Sequence, residues 1–198
     1  GTVAVDGYPG QLELPYDQDT GTYLFQDEAR CLTLYDAQGH LAVLNLEWDD
    51  REALVELHSM LDGGLFGPTG ITVSEGMLDE VAATPELGAA QEGWLQVLSG
   101  ACLAYDYFDQ VLERDGFNGM QAPLKLVYNS QGILQGDLSI QKDNVITYAG
   151  QYTGVIFYFG NVGKTYAQNP NTTVHEYAHG VEQTISHISS ADTGAGGA

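Results

Sequence analysis

The sequence predicts an α+β domain: a twisted, mostly antiparallel sheet, one long buried helix, and a C-terminal helix carrying a His-Glu-x-x-His pentapeptide. Three observations predict it. Residues 2–48 alternate apolar and polar in strand fashion, residues 86–115 repeat apolar side chains at intervals of three and four, and residues 117–168 return to strand-like runs before helical spacing resumes. The chain has 198 residues, enough for a core that needs no disulfide or metal staple.

In chain order, Thr22-Tyr-Leu-Phe-Gln26 and Cys31-Leu-Thr-Leu-Tyr35 are separated by turn-forming segments, so residues 2–48 read as a meander of hairpins. From Asp49, Leu54, Leu57 and Leu61 share a helical face in a segment that Gly63-Gly64 ends. Residues 63–74 read as loop, and a second short helix is expected at Met77–Ala83 before Pro85. The long helix follows over Glu86–Asp115. Its stripe comprises Trp94, Leu95, Leu98, Cys102, Tyr105, Phe108, Val111 and Leu112, with Arg114 at its C-terminal end and Gly116 beyond.

Strands are expected at Leu124–Tyr128, Val145–Tyr148 and Val155–Phe159, with turns at Asn129–Gly132 and Gly160-Asn161. Asn169-Pro170 starts the last helix, since Pro suits a first helical turn. It runs to about His187. Residues 1–187 are thus assigned to one domain, and 188–198, rich in Gly, Ala and Ser, to a flexible tail.

Acidic residues number 27 against 6 basic ones, giving a formal charge of −21, which disfavours any surface that tracks phosphates. Nucleic acid is therefore not an expected partner. Nor is a membrane, because no apolar run approaches the length of a spanning helix. The first residue is Gly, with no initiator Met or signal-like segment, which reads as a processed or trimmed chain. Cys31 and Cys102 are equally compatible with a disulfide and with free thiols.

The segment that carries chemistry is His175-Glu176-Tyr177-Ala178-His179. Residues four apart on a helix lie one above the other, so both imidazoles can reach one zinc ion, while Glu176 stands where a carboxylate can accept a proton from metal-activated water. A competing reading makes Thr173-x-x-Glu176 a capping box and the histidines ordinary polar residues. Catalytic zinc takes three protein ligands, and the third stays open: only His187 and Asp192 remain downstream, and His187 lies about 80° round the helix from His179. Glu182 and Ile185 stand where a metzincin needs Gly and His, so that class is excluded.

Beyond the pentapeptide, Ala104-Tyr-Asp-Tyr-Phe-Asp-Gln-Val-Leu-Glu-Arg-Asp-Gly-Phe-Asn-Gly119 resembles the tyrosine-rich helix and Asp-Gly turn of thermolysin-like (bacillolysin-type) neutral zinc metallopeptidases. Gln121-Ala-Pro-Leu-Lys-Leu-Val-Tyr128 resembles the strand after it, and Phe157-Tyr-Phe-Gly-Asn161 the aromatic edge strand that leads to the zinc helix. Tyr23–Asp27 and Thr33–Ala37 are similar to that family's opening hairpins, more weakly.

The resemblance implies a secreted zinc metalloendopeptidase of which this chain is the N-terminal half. His175 and His179 would be zinc ligands, and Glu176 the general base that passes its proton to the leaving amine. Val155, Ile156, Phe157 and Tyr158 would form the strand that binds an extended peptide through its main chain, with Val155 and Ile156 replacing the usual Asn-Ala. The third ligand would be a glutamate in a helical domain that follows, so the segment alone is expected to be inactive. Calcium would be bound mainly by the complete enzyme, since Asn171 replaces the usual Asp ahead of the zinc helix.

The outward face of that helix, around Tyr177, Val181 and Ile185, is expected to be exposed and available for self-association. Two other readings are a degenerate homologue that keeps the fold without the chemistry, and a non-catalytic acidic binding module. The second rests on Glu47, Asp49, Asp50, Glu52 and Glu56.

Overall fold

In the computed structural model, residues 1–5, 8–37, 39, 41–44, 69–72, 89–135, 138–140 and 144–186 are described. The helices expected at 49–61 and 77–83, the acidic cluster between Glu47 and Glu56, His187, Asp192 and the 188–198 tail lie outside them. The described residues form a mixed α+β structure with a five-stranded main sheet and three helices.

Three short hairpins open the chain, as the alternation predicts. Strand β1 (Thr2–Ala4) pairs with β2 (Gln11–Glu13), β3 (Tyr16–Asp17) with β4 (Thr22–Leu24), and β5 (Gln26–Asp27) with β6 (Leu32–Asp36), all antiparallel. Strand β7 (Leu41–Leu44) pairs parallel with β10 (Gly132–Gln135), which also pairs with β11 (Leu138–Ile140). The segment read as loop at 63–74 contributes β8 (Gly70–Thr72), because Gly70-Ile71-Thr72 finds an open edge on β4. A three-residue strand leaves too little alternation to read in advance.

The main sheet runs β12 (Asn144–Ala149), β13 (Gly154–Phe159), β9 (Leu124–Ser130), β6, β5. Its two outer pairs are antiparallel, but β13–β9 and β9–β6 are parallel. The main sheet is therefore mixed, although antiparallel pairs predominate over the described strands as a whole. Parallel neighbours need a long crossover, and the connection from β6 to β9 contains helix α1 (Ala89–Leu112). Local alternation carries no information about which strands become neighbours.

Helix α1 buries Trp94, Leu95, Leu98, Ala101, Cys102 and Tyr105 in the larger core with Leu34, Leu126 and Ile156. Each fully buried large side chain contributes roughly 1.5–3 kcal/mol. The stripe stops short of its expected end: Val111 and Leu112, beyond the Phe108–Tyr177 contact with the last helix, are exposed. The turn expected at Gly160-Asn161 opens helix α2 (Gly160–Ala167) instead. Its second glycine, Gly163, is a close-approach site: a Cβ there would stand 2.8 Å from the Asn144 carbonyl oxygen and 2.9 Å from the Tyr158 carbonyl carbon. Gly163 is thus a packing glycine, while Gly160, at φ +67°, still makes the sharp backbone turn from β13 into the helix.

Helix α3 (Pro170–Ser186) starts as expected: Asn169 Oδ1 accepts the Asn171 N–H at 3.0 Å, and Pro170 needs no partner for a missing N–H. Thr173 is no cap, being fully buried inside the helix and hydrogen-bonded to the Tyr158 hydroxyl at 2.5 Å. Helices α1 and α3 meet where Gly100 faces Pro170 and Thr173, and Phe108 stacks on Tyr177 at a centroid distance of 5.6 Å. Arg114 at the end of α1 donates to the Phe117 carbonyl and to Thr184 Oγ1 of α3.

The β5–β6 turn is tied to α1 by Arg30. Its Nε and Nη2 donate to the two oxygens of Asp106 at 2.7 and 2.9 Å, and Nη1 to Asp27 Oδ2 at 2.6 Å. Both cysteines are free: Cys31 Sγ faces the Glu28 carbonyl, and buried Cys102 lies 3.6 Å from Asp27 Oδ2. The opposite face of the main sheet carries Tyr35, Val127, Val155, Phe157 and Phe159, with Lys125 Nζ 3.0 Å from the Tyr35 hydroxyl. Among the described residues, no helix is long and apolar enough to cross a membrane.

Candidate metal centre

Helical periodicity divides α3 into neighbouring stripes. Glu176, Gly180 and Gln183 recur at four and three and face β12; His175, His179 and Glu182 recur in the same way one residue earlier and face outward. A Cβ on Gly180 would make ordinary contacts with Ala149 and Thr147 at 3.5 Å, so the helix lies directly against this strand.

The two imidazoles converge. His175 Nε2 and His179 Nε2 are 2.9 Å apart, and the rings are nearly perpendicular, with centroids 4.5 Å apart. Two nitrogens on one tetrahedral zinc, each at 2.0–2.1 Å, stand about 3.3 Å apart, so small ring rotations bring the pair to ligand geometry. One donor atom from each of His175, Glu176 and His179 falls within 4.8 Å of the others. The His179 Nδ1 atom is 3.6 Å from Glu182 Oε2, a placement that favours the proton on Nδ1 and leaves Nε2 as the acceptor toward His175. The chemistry and spacing of these donors fit zinc. Among the described residues, no other His, Cys, Asp or Glu joins them.

Glu176 differs from the exposed histidines. It is 8 % exposed, and its Oε2 lies 2.7 Å from the Thr147 hydroxyl on β12. Burial raises its pKa above the usual glutamate value, while the Thr147 hydrogen bond and the two nearby imidazoles oppose that rise. Below it, Gln183 holds the same strand: its Nε2 donates to the Thr147 carbonyl at 3.0 Å and its Oε1 accepts the Ala149 N–H at 2.9 Å.

The structure overturns the expected peptide-binding strand. Val155, Ile156, Phe157 and Tyr158 are at most 1 % exposed, and β13 is hydrogen-bonded to β12 on one side and β9 on the other. A strand already paired on both sides has no main-chain groups left for an added peptide. Tyr158 accordingly serves the core, through Thr173. The outer strand on this side, among the described residues, is β12. The expected apolar face is corrected as well: Tyr177 and Val181 are buried against α1, and only Ile185 of that trio is exposed.

Thr147 and Gln183 are the site residues that reading the sequence missed. Gln183 carried a signal, standing seven residues after Glu176 and so on the same helical face. Thr147 carried none, because contact with Glu176 depends on how the helix lies on the sheet. No protein-family model matches this chain, and no curated protein matches it.

Proposed function

We propose that this chain carries the zinc-binding helix and the peptide-binding strand of a metalloendopeptidase of the thermolysin-like type. The observation that carries the reading is the convergence of His175 Nε2 and His179 Nε2 beside a buried glutamate. A zinc ion held by these imidazoles would act as Lewis acid and make a water nucleophilic near neutral pH.

Glu176 is positioned by Thr147 and has a raised proton affinity, which suits a base that takes the water's proton and gives it to the departing amine. An extended peptide would add to the outer edge of β12, replacing the role expected of β13. The remaining ligand comes from outside the described residues, and with two histidines alone the site holds zinc weakly and does not hydrolyse peptides. An extracellular setting belongs to the same reading.

Calorimetric titration with zinc tests the centre. His175→Ala and His179→Ala should each weaken binding by at least tenfold, and affinity should fall on acidification because each imidazole must give up its proton to bind. Zinc affinity that is indifferent to both substitutions refutes the proposal. In the full-length protein, Glu176→Gln should abolish casein cleavage while retaining the metal.

A further inference from the structure

The outer edge of β12 is partly occupied by the protein's own side chain. Gly150 donates to the Thr153 carbonyl across the β12–β13 turn, and residues alternate outward and inward from there. Val145, Thr147 and Ala149 therefore direct their N–H and C=O groups away from β13. At the Ala149 end, the Gln183 carboxamide takes the Thr147 carbonyl and the Ala149 N–H together. A carbonyl and the N–H two residues later are the pair that one residue of a neighbouring parallel strand would engage through its own N–H and C=O, so Gln183 imitates a single residue of an added strand.

We propose that Gln183 is a register stop on the peptide-binding edge: it blocks pairing at the Thr147 carbonyl and Ala149, and confines an extended peptide to Val145 and the Thr147 N–H. The occupant of the edge is an extended polypeptide, which offers the same amide donor and acceptor that the edge already accepts from Gln183. The proposal rests on the peptidase reading for its purpose, since the imidazole stripe of α3 borders this edge and a fixed register decides which peptide bond lies beside it. Gln183 touches no reacting atom. It is a positioning residue, and its 8 % exposure means that the stop is built into the helix–sheet contact.

The test is amide chemical-shift mapping on the labelled chain, with blocked Thr-Val repeat peptides of four and eight residues. In the wild type, both peptides should shift the Val145 and Thr147 amides, leave Ala149 unmoved and bind equally. In Gln183→Ala, the Ala149 amide should respond, and the longer peptide should gain about tenfold in affinity over the shorter one, as expected for one or two added hydrogen bonds. General loosening of the structure would weaken both peptides alike.

Gln183→Glu keeps the acceptor for Ala149 and loses the donor to Thr147, so it should leave Ala149 unmoved, and it serves if the alanine variant fails to fold. Ala149 shifts in the wild type or in Gln183→Glu, equal length dependence in wild type and Gln183→Ala, or no peptide bound at the edge would each overturn the stop. Zinc is not needed for this mapping. A confirmed stop without zinc binding at the histidines would fail the peptidase reading alone, and zinc binding with no stop would fail this inference alone.

Discussion

Substituting Gly100 tests how the metal helix is seated. An ideal Cβ at this position would lie 2.7 Å from the Pro170 carbonyl oxygen, 2.8 Å from Thr173 Cβ and 3.1 Å from Pro170 Cα, all belonging to the first turns of α3. These atoms are backbone or fixed directly to it, so Gly100→Ala must push the helices apart. Gly93 of the same helix provides the control, because its Cβ would meet the Tyr128 hydroxyl at 3.1 Å, the far end of a side chain able to give way by a few tenths of an ångström.

Both alanines gain about 0.8–1 kcal/mol in helix propensity. Overpacking at Gly100 costs about 1–3 kcal/mol, with the upper part of that range expected against backbone. Gly100→Ala should therefore lose about 1–2 kcal/mol net, while Gly93→Ala should be neutral or gain up to about 1 kcal/mol. At this chain length, about 1 kcal/mol corresponds to ~2–4 °C, so thermal unfolding followed by circular dichroism separates the two. Displacing α3 also strains the Tyr158–Thr173 and Thr147–Glu176 hydrogen bonds, and zinc affinity should fall in Gly100→Ala alone. A Gly100→Ala protein as stable as the wild type would refute the claim that this glycine sets the helix–helix distance.

Two further outcomes follow from the electrostatics. Glu176 holds its proton more tightly folded than unfolded, so its contribution to stability is greatest below the ordinary glutamate pKa of 4.5 and is lost as pH rises toward the raised folded value. Glu176→Gln should accordingly raise Tm at pH 7 and lose that advantage near pH 4, and an unchanged or lower Tm at pH 7 would contradict it. Arg30→Lys keeps the charge but loses the fork that serves Asp106 and Asp27 together, so denaturant unfolding should show a loss on the order of 1–3 kcal/mol; a change within about 0.5 kcal/mol would show the triad to be energetically idle.

The long helix, the hairpins at the start and the helix bearing His175 and His179 were legible in the sequence because each rests on local periodicity or local turn and cap chemistry. Asn169-Pro170 announces the start of α3, and a spacing of four suffices to stack two imidazoles. Helix α2 was not legible, since Gly160-Asn161 read as a turn and only the close approach of Gly163 to the Asn144 and Tyr158 backbone shows what the glycine after it is for. The exposure of Val111 and Leu112 was hidden for a related reason: periodicity gives the face of a helix, and only the tertiary packing says where that face stops being covered.

Residue spacing by itself determined the converging donors, because a helix fixes its own side-chain directions over one turn. Tertiary structure alone decided which of the described strands is outermost beside them. Strand order depends on pairings between segments far apart in the chain, so the apolar run at Val155–Phe159 became the paired interior of the sheet. The edge then fell to β12, where Thr147 meets Glu176 and Gln183 closes part of the hydrogen-bonding ladder.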